Sequence, residues 1–280
     1  MRRVRIVTDS TAELPVEVTE ELGIAVVPLT IHVGRETFLD GREIDTETLA
    51  RKLDHTEALP FATAPSVKAI EDAYRDIGNG TDDIVSIHIS AGLSSTVDLA
   101  RRAASSLIGE RRIVVVDSLT TSLALRILVT AAAEISRRGA NLDEVVRLVR
   151  AMIPHVYLVF FVESLEYLER DERIGKAEAL LGTMLSIKPL LIIEDGEILP
   201  LEKVRTRGGG LDKLYEFVTE FPHLEKIAIL RGPNAATPSD LVEKLQLAYP
   251  KKDLDLVTYG PVLATHLGQA AIGVFVYEGL

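Results

Sequence analysis

Short apolar runs alternate along the chain with stretches whose apolar positions recur every third or fourth residue. The runs predict strands over Val4–Thr8, Ile84–Ile89, Ile113–Val116, Tyr157–Phe161, Ile187–Ile193, Lys226–Leu230 and Asp255–Thr258. Several are apolar throughout, which predicts sheets covered on both faces. The helical periodicity predicts helices over Pro15–Leu22, Thr46–Leu53, Ser66–Ile77, Ser95–Leu107, Ser122–Arg138, Leu142–Met152, Lys176–Leu185, Gly210–Phe221 and Ser239–Ala248. Asn141 precedes Leu142, with Glu144 three residues on, the pattern of a capping box. Pro238-Ser239-Asp240 opens another helix. Gly34–Ile44 and Glu194–Val204 read as hairpins, the second around the turn dipeptide Asp195-Gly196. Such alternation of strand and helix predicts an α/β protein with mainly parallel or mixed sheets. Arg150–Pro154 is the expected boundary, giving domains 1–152 and 153–280.

Composition narrows the function classes. Among 280 residues, 31 are Lys or Arg and 42 are Asp or Glu, a formal net charge of −11. A surface this acidic repels phosphate, so neither nucleic acid nor an anionic membrane is an expected partner. Cysteine is absent, which excludes disulfides, thiolate metal sites and a cysteine nucleophile. The six histidines (His32, His55, His88, His155, His223 and His266) show no metal-ligand spacing, so no metal is expected. The amino-terminal apolar run is interrupted by Arg5 and Asp9, and no window is apolar long enough to span a bilayer. A cytoplasmic protein without stable membrane insertion is the expectation. Apolar residues make up 47% of the chain but aromatics only 5%, so the interior is aliphatic.

Six constellations could carry chemistry, and each also has a plain structural reading. Asp9-Ser10-Thr11 ends the first strand, where open α/β sheets place ligands or simply turn into a helix. Thr63-Ala64-Pro65-Ser66 reads as a helix start, which caps N–H groups and also suits an anion. Ser90-Ala91-Gly92-Leu93-Ser94-Ser95-Thr96 follows a buried strand with a glycine turn and a run of hydroxyls. Free N–H groups, the helix dipole and hydroxyls converge there, as a carboxylate or phosphate requires. It is neither a P-loop nor a nucleophile elbow. Asp117-Ser118 repeats the placement of Asp9-Ser10, so the two pairs either line one crevice or close two separate turns. Arg173 stands out only through the Arg-x-Gly turn of Arg173-Ile174-Gly175, within a charged stretch. Thr265-His266 lies among small and aliphatic residues; His266 is either a hydrogen-bonded structural histidine or a donor to an anion.

Taken in order, these segments resemble the DegV family of bacterial lipid-binding proteins. The matching stretches are Ile6–Pro15, Thr63–Ser66, Ile89–Thr96, Val116–Ser118, Ser164–Leu168, Arg173–Lys176, Ile187–Leu190 with Gly196, and Gly260-Pro261 to Gly268. The resemblance implies two α/β domains with a ligand tunnel between them. It implies a long-chain fatty acid, such as palmitate or a C18 acid, as ligand and no other cofactor. It further implies a non-catalytic subunit that presents the carboxylate to an ATP-dependent kinase subunit, which makes acyl-phosphate for phospholipid synthesis. Carried over residue by residue, the carboxylate falls to Thr63, Ser94, Ser95 and His266, and the partner or phosphoryl contact to Arg173. Asp9, Ser10, Ser90, Gly92, Asp117, Ser118 and Thr265 then line the crevice. Departures from the family pattern are Ala62 before Thr63, Ser95 in place of glycine, Gln269-Ala270 after Gly268, and Arg231 in place of histidine. The competing readings are a small-molecule kinase or phosphotransferase, against which the lack of a recognisable nucleotide-phosphate loop counts, and a hydrolase using Ser94, His266 and Asp117.

Overall fold

A computed structural model describes residues 3–56, 58–77, 82–170 and 188–280. The expected helix over Lys176–Leu185, the first residue of the strand expected at Ile187, and Arg173 lie outside the described residues.

The first part of the chain runs β1 (Val4–Asp9), α1 (Val16–Leu22), β2 (Ala25–Val27), β3 (Thr30–Val33), β4 (Glu36–Leu39), α2 (Thr46–Leu53), β5 (Phe61–Thr63), α3 (Val67–Asp76), β6 (Asp83–His88), α4 (Thr96–Ser106), β7 (Ile113–Asp117), α5 (Ser122–Arg137) and α6 (Leu142–Met152). There follow β8 (Val156–Phe161), α7 (Glu166–Arg170), β9 (Lys188–Glu194), β10 (Glu197–Val204), α8 (Arg207–Thr219), β11 (Lys226–Arg231), α9 (Ser239–Ala248), β12 (Leu254–Thr258), α10 (Pro261–Leu267) and β13 (Ile272–Tyr277). A four-stranded sheet has the order β2-β1-β6-β7, with every pairing parallel. A six-stranded sheet has the order β10-β9-β8-β13-β11-β12. There only β11 and β12 pair in parallel. A small antiparallel sheet, β4-β3-β5, completes the set.

Side-chain alternation explains why the strand runs read as apolar throughout. Leu158 and Phe160 of β8 enter the central core, while Val159 and Phe161 enter the core on the opposite face. The same holds for β13, where Phe275 faces the central core and Val274 and Val276 the outer one. In β1, Val4 and Ile6 join the central core and Val7 the layer formed with Ile70, Tyr74 and Ala103. Each strand is thus covered on both faces whatever the direction of its neighbours. Helix α5 packs against β1 and β6 of one sheet and β8 and β13 of the other. Buried by both, it carries apolar residues over most of its surface, Leu123, Leu125, Leu128, Val129 and Ala132 among them.

Strand β13 is absent from the sequence expectation yet lies in the middle of the six-stranded sheet. Gly273 weakens its strand signal. The glycine is required by packing: a Cβ there would meet the Phe160 ring at 2.5 Å. The capping box of α6 forms as expected, with Asn141 accepting from the Glu144 amide and Glu144 from the Asn141 amide. The first hairpin joins β3 and β4 through Gly34, so it starts earlier in the chain than the run Gly34–Ile44 suggested. The second, β9–β10, turns at Asp195-Gly196 as expected.

Candidate functional site

The parallel strands β1, β6 and β7 end side by side, so their polar termini share one edge of the sheet. Asp9 is fully buried there. Its carboxylate accepts from the Thr11 amide (3.0 Å) and hydroxyl (2.5 Å), from the Ile89 amide (2.9 Å) and from His88 Nδ1 (3.0 Å). The chain of contacts continues from His88 Nε2 to Ser86 Oγ (2.6 Å) and on to the Tyr74 hydroxyl (2.9 Å). Burial holds the Tyr74 phenol above its ordinary pKa. Asp9 therefore ties β1 to β6 and caps the turn after β1. The neighbouring Ser10 hydroxyl accepts from the Leu29 amide at 3.0 Å.

The glycine turn after β6 is tied in the same manner. Ser90 Oγ donates to the Gly196 carbonyl (2.7 Å) and accepts from the Gly92 amide (3.1 Å). A Cβ on Gly92 would lie 2.4 Å from the Gly196 carbonyl oxygen, so only glycine lets the two turns meet. Asp117 accepts from the Leu119 amide (3.0 Å) and the Ala91 amide (3.2 Å), and Ser118 Oγ donates to the Thr120 carbonyl (3.1 Å). Leu119 and Ser122 flank this turn at φ 54° and 52°, in the left-handed region that costs a non-glycine residue energy.

Ser94 is buried, its hydroxyl 2.8 Å from Thr96 Oγ1 and 3.3 Å from the Thr96 amide. Ser95, at the N-cap of α4, is exposed and makes no capping bond through its side chain. Thr63 is also exposed; its hydroxyl is 2.9 Å from His32 Nε2, and the His32 ring stacks on Phe61 with centroids 4.3 Å apart. Thr265 is buried and donates back to the Val262 carbonyl (2.8 Å), an ordinary bond within its helix. Arg173 lies outside the described residues.

Helix α10, which carries His266, packs against β5, which carries Thr63. Along α10 runs a narrow apolar slot of about 30 Å³. Ile89, Leu93 and Thr121 form its wall from the first part of the chain, and Phe160, Ile193 and Leu263 stand among those opposite. His266 borders it. The slot therefore brings His266 beside aliphatic side chains of β9, β10 and the turn after β6. Its volume holds about two water molecules and is well below the ~300–1,000 Å³ of formed ligand pockets. Apart from Thr121, Phe160 and His266, its walls are Ile, Leu and Val side chains, which offer no hydrogen bond.

A family profile described as "Uncharacterised protein, DegV family" matches residues 3–279. A DegV domain-containing protein of Streptomyces coelicolor is 38% identical over 282 residues, with 98% of each chain covered. Protein DegV of Bacillus subtilis is 30% identical over 275 residues, covering 97% of this chain and 98% of its own. The chain belongs to the DegV family. Among solved structures, a DegV family protein from Thermus thermophilus described by its fatty acid binding superposes with a TM-score of 0.88 at 29% identity, covering 99% of this chain and all (100%) of its own. DegV of Bacillus subtilis, described as a fatty acid binding protein, gives 0.89 at 27% identity over 99% and 100% of the two chains.

Within this DegV chain, four polar residues escape sequence reasoning. Thr121 lines the slot, and His32 holds Thr63. Glu13 and Asp40 are buried carboxyls with incompletely satisfied oxygens. Glu13 sits inside the matched stretch Ile6–Pro15, and its left-handed backbone (φ 50°) is not encoded by a glycine. Burial of Asp40 follows from tertiary packing around a hairpin, which no local pattern reports. Among the described residues, no group of three or more His, Asp or Glu side chains is placed to hold a metal ion.

Proposed function

We propose that the chain binds a long-chain fatty acid, with the tail in the slot beside α10 and the carboxylate at the exposed Thr63 of β5, the strand packed against that helix. The observation that carries this reading is the apolar slot bordered by His266. Two solved relatives of the same fold, above a quarter identical, are described as fatty acid binding. The tail supplies the gain: at about 0.8 kcal/mol per buried CH₂, roughly 14 methylenes yield about 11 kcal/mol before ordering costs. The head needs donors, because an acidic protein repels an anion. Thr63, Ser94, Ser95 and His266 are the donors we assign, each charge-assisted bond contributing about 1.5–3 kcal/mol. A Thr63 hydroxyl that accepts from His32 keeps its own proton for the carboxylate. Of the crevice residues, Asp9, Ser10, Ser90, Gly92, Asp117, Ser118 and Thr265 act through the shape of the turns and not as direct donors.

In this reading the protein performs no chemistry itself. It offers the carboxylate to an ATP-dependent kinase subunit, with Arg173 as the contact for partner or phosphoryl group. We further infer that residues 1–152 and 153–280 are separate domains, the slot lying where they meet. The hydrolase reading has less support. Ser94 pairs with Thr96, and Asp117 with backbone amides, the arrangement of two caps. Native mass spectrometry of the purified chain tests the carrier reading. The expected result is an added mass equal to a sixteen- or eighteen-carbon acid, lost on Leu263→Trp, which fills the slot. A chain that neither carries nor takes up such an acid refutes it.

A further inference from the structure

Two polar side chains interrupt the apolar lining of the slot beside α10, Thr121 and His266. His266 is assigned above to the head group, and Thr121 has no part in that reading. Thr121 stands at the N-cap of α5, where a threonine ordinarily accepts from an amide of the first helical turn. Here its side chain makes no such bond. Thr121 is only 3% exposed, and among the described residues its hydroxyl has no hydrogen-bond partner. The adjacent Ser122 hydroxyl also lacks a partner but is shut off from accessible space, whereas that of Thr121 is not shut off from the slot it lines.

The backbone fixes this residue from both sides. The Thr120 carbonyl accepts from the Ser90 amide (2.9 Å) and from Ser118 Oγ (3.1 Å), and the Thr121 carbonyl accepts from the Leu125 amide (3.2 Å). A branched Cβ restricts the rotation that would turn the hydroxyl elsewhere. Ile89 and Leu93 on the same wall, and Phe160, Ile193 and Leu263 opposite, offer it no hydrogen bond. A saturated alkyl chain threaded past this point would leave a buried hydroxyl unpaired, which is unfavourable. An oxygen borne by the chain at the same depth would pair with it. A hydroxyl both donates and accepts, so it suits either orientation of the Thr121 proton, whereas an oxo group only accepts.

We propose that the slot selects a hydroxylated long-chain fatty acid, whose chain hydroxyl is hydrogen-bonded to Thr121 Oγ1. The inference rests on the fatty-acid reading above and narrows its ligand class. Thr121 is held at one depth in the slot. With the carboxylate held at the mouth, only an acid whose hydroxyl reaches that depth makes the bond. Selectivity therefore falls on the position of the hydroxyl along the chain.

The test is titration calorimetry of the delipidated full chain with stearate and with hydroxystearates that differ only in the carbon bearing the hydroxyl. The isomers share one composition, so a difference among them reports the contact and not the hydrophobicity of the chain. One isomer should bind the unsubstituted chain about tenfold more tightly than the rest, as one hydrogen bond gained and one unpaired hydroxyl avoided would give. Thr121→Val keeps the branched shape and removes the hydroxyl, and should level the isomers; Thr121→Ser should keep the preference. Isomers that bind the unsubstituted chain alike overturn the proposal without recourse to any variant. So does a preference that survives Thr121→Val, or a loss in Thr121→Val that weakens every acid equally, the mark of a structural role. Stearate separates the two readings. If neither it nor any hydroxystearate binds, the fatty-acid reading falls and this proposal with it; if stearate binds and the isomers do not differ, only the Thr121 contact falls.

Discussion

Two buried carboxyls in the first part of the chain, Asp9 and Asp40, are treated in opposite ways. At the end of β1, Asp9 receives four hydrogen bonds, and after β6 Ser90 joins two turns. Between β4 and α2, Asp40 keeps an oxygen without a donor. Both carboxyls are buried, but one stabilises the fold and the other strains it. Polar residues at the strand ends thus spend their hydrogen bonds on the fold. The turns that carry the most suggestive sequence motifs consume their own donors and acceptors. Unspent capacity sits at residues whose motifs looked plain.

The largest effect that would break this comparison is at Asp9. Asp9→Ala removes the acceptor shared by Thr11, His88 and Ile89, leaving buried N–H groups unpaired. We expect a loss of about 3–5 kcal/mol, read from urea unfolding. A loss below ~0.5 kcal/mol, the usual size of a surface change, contradicts the structural role.

Asp40 sharpens it with the opposite sign. Burial foremost, then the nearby Glu13 and Asp9 charges, outweighs Ser10 and raises its pKa from 3.8 to about 7. The folded chain then holds this proton more tightly than the unfolded chain. Stability from this group is full below pH ~4, falls as pH rises toward ~7, and is level above. The decline is at most about 4 kcal/mol for a shift of this size. Asp40→Asn has no proton to lose. Its unfolding free energy should gain on the unsubstituted chain between about pH 4 and 8, as urea midpoints across that range would register. Parallel pH curves for the two chains would remove Asp40 as a strained carboxyl.

A smaller effect separates close packing from strain. Gly92→Ala places a Cβ against the Gly196 carbonyl at 2.4 Å. The two turns must then part, at about 1–3 kcal/mol. Ser90, which bonds Gly196 across the same gap, should lose that bond as well. The thermal midpoint reports this directly, and an unchanged midpoint means the turns do not meet as described.

How much of this was legible in the chain follows from where each signal resides. Strand β8 was legible because burial on both faces leaves an unbroken apolar run, and α6 because its capping box is local. The direction of β8 was not, since antiparallel strands covered by helices on both faces read the same as parallel ones. β13 was hidden by Gly273, whose meaning depends on Phe160, more than a hundred residues earlier in the chain. Residues of the candidate site were legible as types but not as states. Ser94 and Thr63 read alike, yet the first is buried against Thr96 and the second is exposed on His32. Asp40 was invisible because its character comes from what does not reach it.

The smallest expected effect bears on that contrast between Ser94 and Thr63. Thr63 is exposed and makes its hydrogen bond only to a surface histidine, so Thr63→Ala should leave the unfolding free energy within about 0.5 kcal/mol. If its hydroxyl donates to a fatty-acid carboxylate, removal costs one charge-assisted bond. Affinity for palmitate should then fall about tenfold, the equivalent of ~1.4 kcal/mol. His32→Ala should give part of that loss, because it frees the hydroxyl to rotate without removing it. Phe61→Leu, which disturbs the stacking partner of His32 but not the hydroxyl, serves as the control. Full palmitate affinity in Thr63→Ala would move the carboxylate away from β5. Loss of stability instead of affinity would place Thr63 with Asp9, among the groups the fold has already used.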